Sequence, residues 1–215
     1  MTKEERLSVL SRNYERFKKY MEEYPETDVV EMDTVIGTVS SHKVLLTLLF
    51  RSCNLMLAFL LNEKTQAEVI STLNWLCEAL GINLFQQLFQ VILTDRGTEF
   101  LDAEAIECDQ YGEIKTKLFY CDPQSAWQKG ALEKNHEFIR YVLPKGISFD
   151  DLTQEDVTLM INHINSLARD KYHGRTPYML SKVLFDNKLH EVMKLVAIEP
   201  DEVFLKPALI FARKR

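Results

Sequence analysis

The sequence has no C-x-x-C pair, and none of its histidines (His42, His136, His163, His173, His190) forms a ligand pair at useful spacing. Its four cysteines, Cys53, Cys77, Cys108 and Cys121, are widely scattered. A zinc ribbon and a dithiol redox motif are therefore not indicated, and the thiols read as reduced. The opening M-T-K-E-E-R-L-S-V-L-S lacks the apolar segment of a signal peptide. The longest apolar stretch, Val44 to Leu61, is broken by Arg51-Ser52-Cys53-Asn54. It falls short of the roughly 20 apolar residues that span a bilayer. No internal repeat and no low-complexity tract occurs. Excess positive charge is missing too: 26 basic against 32 acidic residues leave a net charge of −6, which argues against a simple basic nucleic-acid binder.

What is present fits one large domain, or a domain with an appendage, in 215 residues, 46% of them hydrophobic. The charge is unevenly placed. From Asp95 to Glu113 seven acids face one base, Arg96; from Ile114 to Gly146 six bases face three acids. That boundary suits a metal-binding cleft with basic flanks, and equally two solvated patches.

Leu7, Leu10, Tyr14, Phe17 and Met21 recur at helical spacing, so residues 5–22 read as one amphipathic helix ended by Pro25. Asp28–Ile36, Val44–Phe50 and Asn54–Leu61 read as three consecutive strands, the last two joined by a hairpin turn. Their near-continuous apolar character predicts burial on both faces. Thr65 to Leu80 is a helix with Thr65 and Glu68 as a capping box and Gly81 as its stop. Gln90–Thr94 and Lys115–Cys121 read as strands, with Ala103–Glu107 as a turn of helix between them. Ser125–Val142, Thr153–Asp170, Tyr178–Phe185 (opened by Pro177) and Leu189–Val196 read as helices, and Val203–Phe211 as extended. Strands first and then alternating elements predict a mixed sheet with helices on both faces.

Asp33 lies inside a strand, where Asp is depleted and an unpartnered carboxylate is costly. Asp95 ends an apolar strand, at the edge where ligands gather in α/β sheets, although a turn aspartate explains it as well. Glu133 lies on the helix after F-Y-C-D-P-Q-S-A-W-Q-K-G-A-L-E. Leu132, His136, Ile139 and Leu143 form the core-facing stripe there, with Lys129, Glu133, Glu137 and Arg140 on the adjacent face. That face presents one carboxylate to a metal and cations to phosphates; an i, i+4 ion pair between Lys129 and Glu133 is the plain alternative.

These segments in order, D-R-G-T-E, then F-Y-C-D-P-Q-S-x-W-Q-x-G-x-x-E, then P-K-G, resemble the catalytic core of DDE transposases and retroviral integrases, and most specifically the insertion-sequence transposases called IS-thirty. The resemblance covers about residues 28–182; the 38 positions from Asp95 to Glu133 are slightly more than the nominal integrase spacing. It implies an α/β fold: a ribonuclease-H-like five-stranded sheet, three antiparallel strands then parallel ones, flanked by helices with extra C-terminal helices. It divides the chain into a lead-in (1–27), a core (28–182) and a C-terminal helix and tail (183–215). It implies Asp33, Asp95 and Glu133 as catalytic, metal-binding acids for two Mg²⁺ or Mn²⁺ ions, which would activate a water or 3′-hydroxyl for cleavage and strand transfer. Arg96, Lys129, Lys134, Arg140 and Arg175 become candidate DNA-backbone contacts, and Trp127 and Gln128 helix-positioning or DNA-touching residues. The implied partners are DNA, as mobile-element ends and target, and a second copy in a homodimer covering the hairpin edge and the Val203–Phe211 stretch. No membrane is implied; the implied place is the cytoplasm, at the nucleoid when DNA-bound. Transposases of this group carry an N-terminal helix-turn-helix region, for which the 27 residues before the first strand are too few, so a core without its end-binding region is expected. The competing expectations are a non-catalytic partner of an intact transposase and a ribonuclease-H-like nuclease without strand transfer.

Overall fold

The computed structural model describes residues 2–212. The chain opens with two helices where the periodicity predicts one, α1 (Lys3–Ser11) and α2 (Tyr14–Glu23). Asn13 makes the break: its side chain accepts a hydrogen bond from the Arg16 N–H and starts α2 afresh. Strands β1 (Val29–Ile36), β2 (Val44–Phe50) and β3 (Met56–Leu61) follow as an antiparallel meander. All seven residues of β2 are buried, as expected of a strand covered on both faces.

Helix α3 (Gln66–Leu80) starts at Thr65, whose hydroxyl accepts from the Glu68 N–H. The Glu68 carboxylate turns instead to the Asn62 N–H, so only half of the predicted box forms. Gly81 ends α3 at φ +84° and leads straight into α4 (Ile82–Leu88), a helix the sequence reading did not anticipate. Then come β4 (Val91–Thr94), α5 (Ala103–Glu107), β5 (Lys117–Tyr120) and α6 (Gly130–Val142). A 3₁₀ turn, Ala126–Lys129, precedes α6, so the predicted Ser125–Val142 helix begins late. Helix α7 (Gln154–Asn165) has the complete Thr153/Asp156 capping box but ends before Asp170. The chain continues with α8 (Pro177–Leu184), α9 (Asn187–Val192) and α10 (Ala208–Phe211). The last is helical where an extended stretch is expected.

The sheet order is β3-β2-β1-β4-β5, with β4 and β5 parallel to β1. On one face Val29, Val91, Leu93 and Phe119 pack against Phe17 of α2. Glu31, Asp33 and Thr47 point to α6 on that same side. Their alternates Val30, Met32, Ile92, Leu118 and Tyr120 enter the main core with Leu73 and Leu76 of α3 and Ile106 of α5. Helix α7 runs along the free edge of β3. Asn165 bonds both backbone groups of Met56, and Gln154 bonds Leu60 N and Ala58 O. The hairpin edge is thus covered from within the chain, and Ile210 of α10 is buried in the main core. Neither feature calls for a second copy.

Candidate active site

Strand register brings the two aspartates together. Glu31 of β1 pairs with Leu93 of β4; two residues further along each parallel strand lie Asp33 and Asp95. Gly97 turns the chain away after β4. Its N–H donates to Asp95 Oδ1 at 2.8 Å. A Cβ there would stand 2.7 Å from Glu99 Oε2 and 3.0 Å from Asp95 Oδ1, so any larger residue in the D-R-G-T-E turn would have to displace these carboxylates.

The third participant is Lys129, at the start of α6. It is 4% exposed, and its Nζ lies 3.0 Å from Asp33 Oδ2 and 3.2 Å from Asp95 Oδ2, with Met32 O at 3.4 Å. Burial pushes the Asp33 carboxyl up from its ordinary value; Lys129 opposes the rise and Asp95 adds to it. For Lys129 burial acts downward, but the two carboxylates together outweigh it, and the ammonium stays charged above its usual range. The alternative Lys129–Glu133 ion pair does not form, because this ammonium points into the sheet edge. In this arrangement the ammonium is turned inward, away from the surface that a DNA backbone would meet.

Several partners fix the start of α6. The helix has no side-chain cap of its own. Glu31, 1% exposed on β1, accepts the Leu132 N–H at 2.7 Å and the Arg51 Nε–H at 2.6 Å. Arg51 also donates to Gln128 O. Gln128 is buried as well, with its amide group holding both Asp122 N and Asp122 Oδ2 in the preceding turn; it positions the helix and does not reach solvent. One turn on, His136 meets Thr47, the residue opposite Asp33 on β2. The Thr47 hydroxyl donates to Asp33 O, so it accepts from His136 Nε2–H. Burial lowers this imidazole to about 4.

Glu133 lies on the exposed side of α6, bordering a cleft of about 430 Å³ with His136, Glu137, Arg140, Tyr141 and Lys145. Among the described residues no three acidic, His or Cys side chains stand close enough to share a metal. The structure thus joins Asp33 and Asp95 and leaves Glu133 one turn beyond Lys129. Of the other expected contacts, Lys134 and Arg175 are exposed. Trp127 is 71% exposed, edge-on to Tyr14. Arg96 bonds Cys121 O and pairs loosely with Asp122; Arg140 donates to Ile36 O. A larger cleft, about 650 Å³ around Phe59, Trp75 and Leu159, contains none of the three acids.

Glu31 and Glu99 escape a reading by sequence. Glu99, 2% exposed, accepts from Thr34 Oγ1 at 2.7 Å and pairs with Lys64, braced behind the Asp95 turn. Glu31 carries a usable signal, the same one as Asp33: an acid among apolar residues of a strand, two positions away on the same face.

No family model matches the chain. It is 28% identical over 149 residues to a transposase for insertion sequence element IS4351 of Bacteroides fragilis, covering 69% of this chain and 42% of that protein. It is 29% identical over 147 residues to transposase InsI for element IS30C of Escherichia coli, covering 68% and 36%. The chain therefore spans less than half the length of these relatives. In structure it is similar to a chain of the simian T-cell lymphotropic virus intasome in complex with the PP2A regulatory subunit B56 gamma. The TM-score is 0.54 at 17% identity, over 71% of this chain and 53% of that one. No helix among the described residues is long and apolar enough to cross a membrane. In sequence the chain resembles insertion-sequence transposases, the IS30 elements among them, and its fold is a ribonuclease-H-like mixed sheet of the kind found in a retroviral intasome.

Proposed function

We propose that the chain is the catalytic core of a DDE-type polynucleotidyl transferase that cuts DNA and joins strands. Residues 28–182 form the core, 1–27 a lead-in, and 183–215 a C-terminal support. It works in the cytoplasm on mobile-element ends and target DNA. The observation that carries this reading is the convergence of Asp33 and Asp95, from adjacent parallel strands, on a single cationic nitrogen. The two carboxylates and the Met32 carbonyl around that nitrogen are hard oxygen donors, a set suited to Mg²⁺ or Mn²⁺. Glu133, one helical turn from Lys129 and facing solvent, would complete the set once DNA is bound.

When bound, a pair of divalent ions supplies a nucleophile of lowered pKa and charge neutralisation at the scissile phosphate. The chain's own residues do the rest. Asp33 and Asp95 fix the cation positions from a rigid sheet edge. Glu31, Arg51 and Gln128 set the angle of α6, and with it the reach of Glu133. Thr47 and His136 hold that helix over Asp33 without adding charge. Lys134 and Arg175, exposed, take phosphates of the flanking backbone.

The test is nicking and strand transfer on a pre-branched DNA with Mn²⁺, which removes the need for end recognition, on the wild type and Glu133→Gln. Activity lost in the variant supports the three-carboxylate centre. Equal activity in both refutes it. A second reading, a non-catalytic partner of a longer transposase, is favoured by the ammonium between the aspartates and the outward Glu133. It predicts no turnover in either protein, together with inhibition of an intact transposase.

A further inference from the structure

The start of α6 places a lysine where the proposed chemistry requires a metal. Lys129 is not a surface residue caught in passing. Its side chain is 5% exposed and its three ammonium protons have three acceptors: Asp33 Oδ2, Asp95 Oδ2 and Met32 O. A cation with hard oxygen ligands on one side is already present, built into the chain. Two carboxylates this close repel each other unless something positive stands between them. The ammonium supplies that charge, and a divalent ion would supply it more strongly at the same point. The two cannot share the position.

We propose that Lys129 is a displaceable resident cation: it holds Asp33 and Asp95 in register in the metal-free chain, and it must withdraw before a divalent ion is seated. The inference rests on the reading of Asp33 and Asp95 as metal ligands. The local backbone permits withdrawal. Lys129 is the last residue of the 3₁₀ turn and the N-cap of α6, with φ −114° and ψ 35°, so its side chain leaves from the junction of the two and not from within the α-helix. The neighbouring Trp127 and Gly130 are exposed, so the path outward leads to solvent and to any polyanion lying there. A phosphate backbone on that side would draw the ammonium out, and metal loading would become coupled to DNA binding.

The experiment is a calorimetric Mn²⁺ titration of wild type, Lys129→Met, Lys129→Gln and Asp95→Asn, with thermal unfolding of each with and without Mn²⁺. Removing the ammonium is expected to tighten Mn²⁺ binding at least tenfold. It should also lower the metal-free midpoint and enlarge the rise that Mn²⁺ produces. In Asp95→Asn binding should be lost. Equal or weaker Mn²⁺ affinity in both Lys129 variants, with loss of binding in Asp95→Asn, overturns the displacement and leaves the metal site standing. Mn²⁺ binding indifferent to Asp95→Asn, or absent from every protein, overturns the metal site and the displacement with it. If a Lys129 variant is unfolded without metal, millimolar Mn²⁺ should restore its fold; failure to do so counts against the proposal.

Discussion

Two neighbouring turns of the polypeptide around α6 are built on opposite plans. The first, from Gln128 to Leu132, is buried and tied at every polar atom that matters: Gln128 to Asp122, Lys129 to two aspartates, the Leu132 N–H to Glu31. The next carries Glu133 into solvent, with no hydrogen bond or ion pair to its carboxylate among the described residues. One acid, Glu31, is thus committed to architecture, and another, Glu133, one residue along the helix from the backbone N–H that Glu31 holds, is left free. An exposed carboxylate is cheap to change in stability terms; a buried, paired one is not. The contrast separates residues that build the site from a residue available to work in it.

The largest effect that would break this division is on activity. Glu133→Gln should lower strand transfer by roughly a hundredfold or more, above the loss typical for a mere supporting partner of a ligand. Its unfolding free energy should stay within about 0.5 kcal/mol of wild type. Denaturant titration alongside the DNA assay checks both. Glu31→Gln should do the reverse in stability, costing about 3 kcal/mol by stranding Arg51 and the Leu132 N–H, and activity should fall with it. If Glu31→Gln proves as stable as wild type, the first turn is not held as described.

Acid should loosen the same turn through His136. Its folded pKa, about 4, lies below the unfolded value of 6.5, so the unfolded chain binds the extra proton first. The contribution is complete above pH 6.5 and is lost as pH falls from there towards 4, by up to about 3 kcal/mol. His136→Gln should flatten the stability profile across that window. The smallest effects belong to the exposed cations. Lys134→Ala and Arg175→Ala should leave stability within about 0.5 kcal/mol. Each should reduce the salt dependence of DNA binding by about one unit of slope, read from affinities over a salt series.

The sheet was legible in the sequence because its signals are local. The unbroken apolar run of β2, the flanking turns and the Thr153/Asp156 cap are decided within a few residues. The break between α1 and α2 was legible in principle, since Asn13 is a good cap, but the apolar spacing ran across it and masked it. Lys129 was not legible. A lysine beside Gly on an amphipathic helix reads as surface, and only the parallel register of β1 with β4 brings two carboxylates to it. Lys115 teaches the same lesson on the other side of the charge boundary. It was counted among a basic stretch, yet its ammonium is buried against Asn74 Oδ1 and backbone carbonyls of Ala105 and Cys108. Two of the six bases after Ile114 are therefore withdrawn from the surface, and the basic flank is thinner than the sequence implies.

The absence of a local cap on α6 bears on the order in which the molecule assembles. A helix capped by a neighbour three residues away can complete its first turn alone, but this one borrows its acceptor from Glu31, 101 positions back along the chain. Closing so long a loop is entropically costly, so the turn bearing Lys129 is expected to order only after β1 has joined the sheet. A nascent chain would hold its carboxylates apart until its frame exists, and divalent ions would meet a finished pair of aspartates rather than loose acids on an unfolded coil.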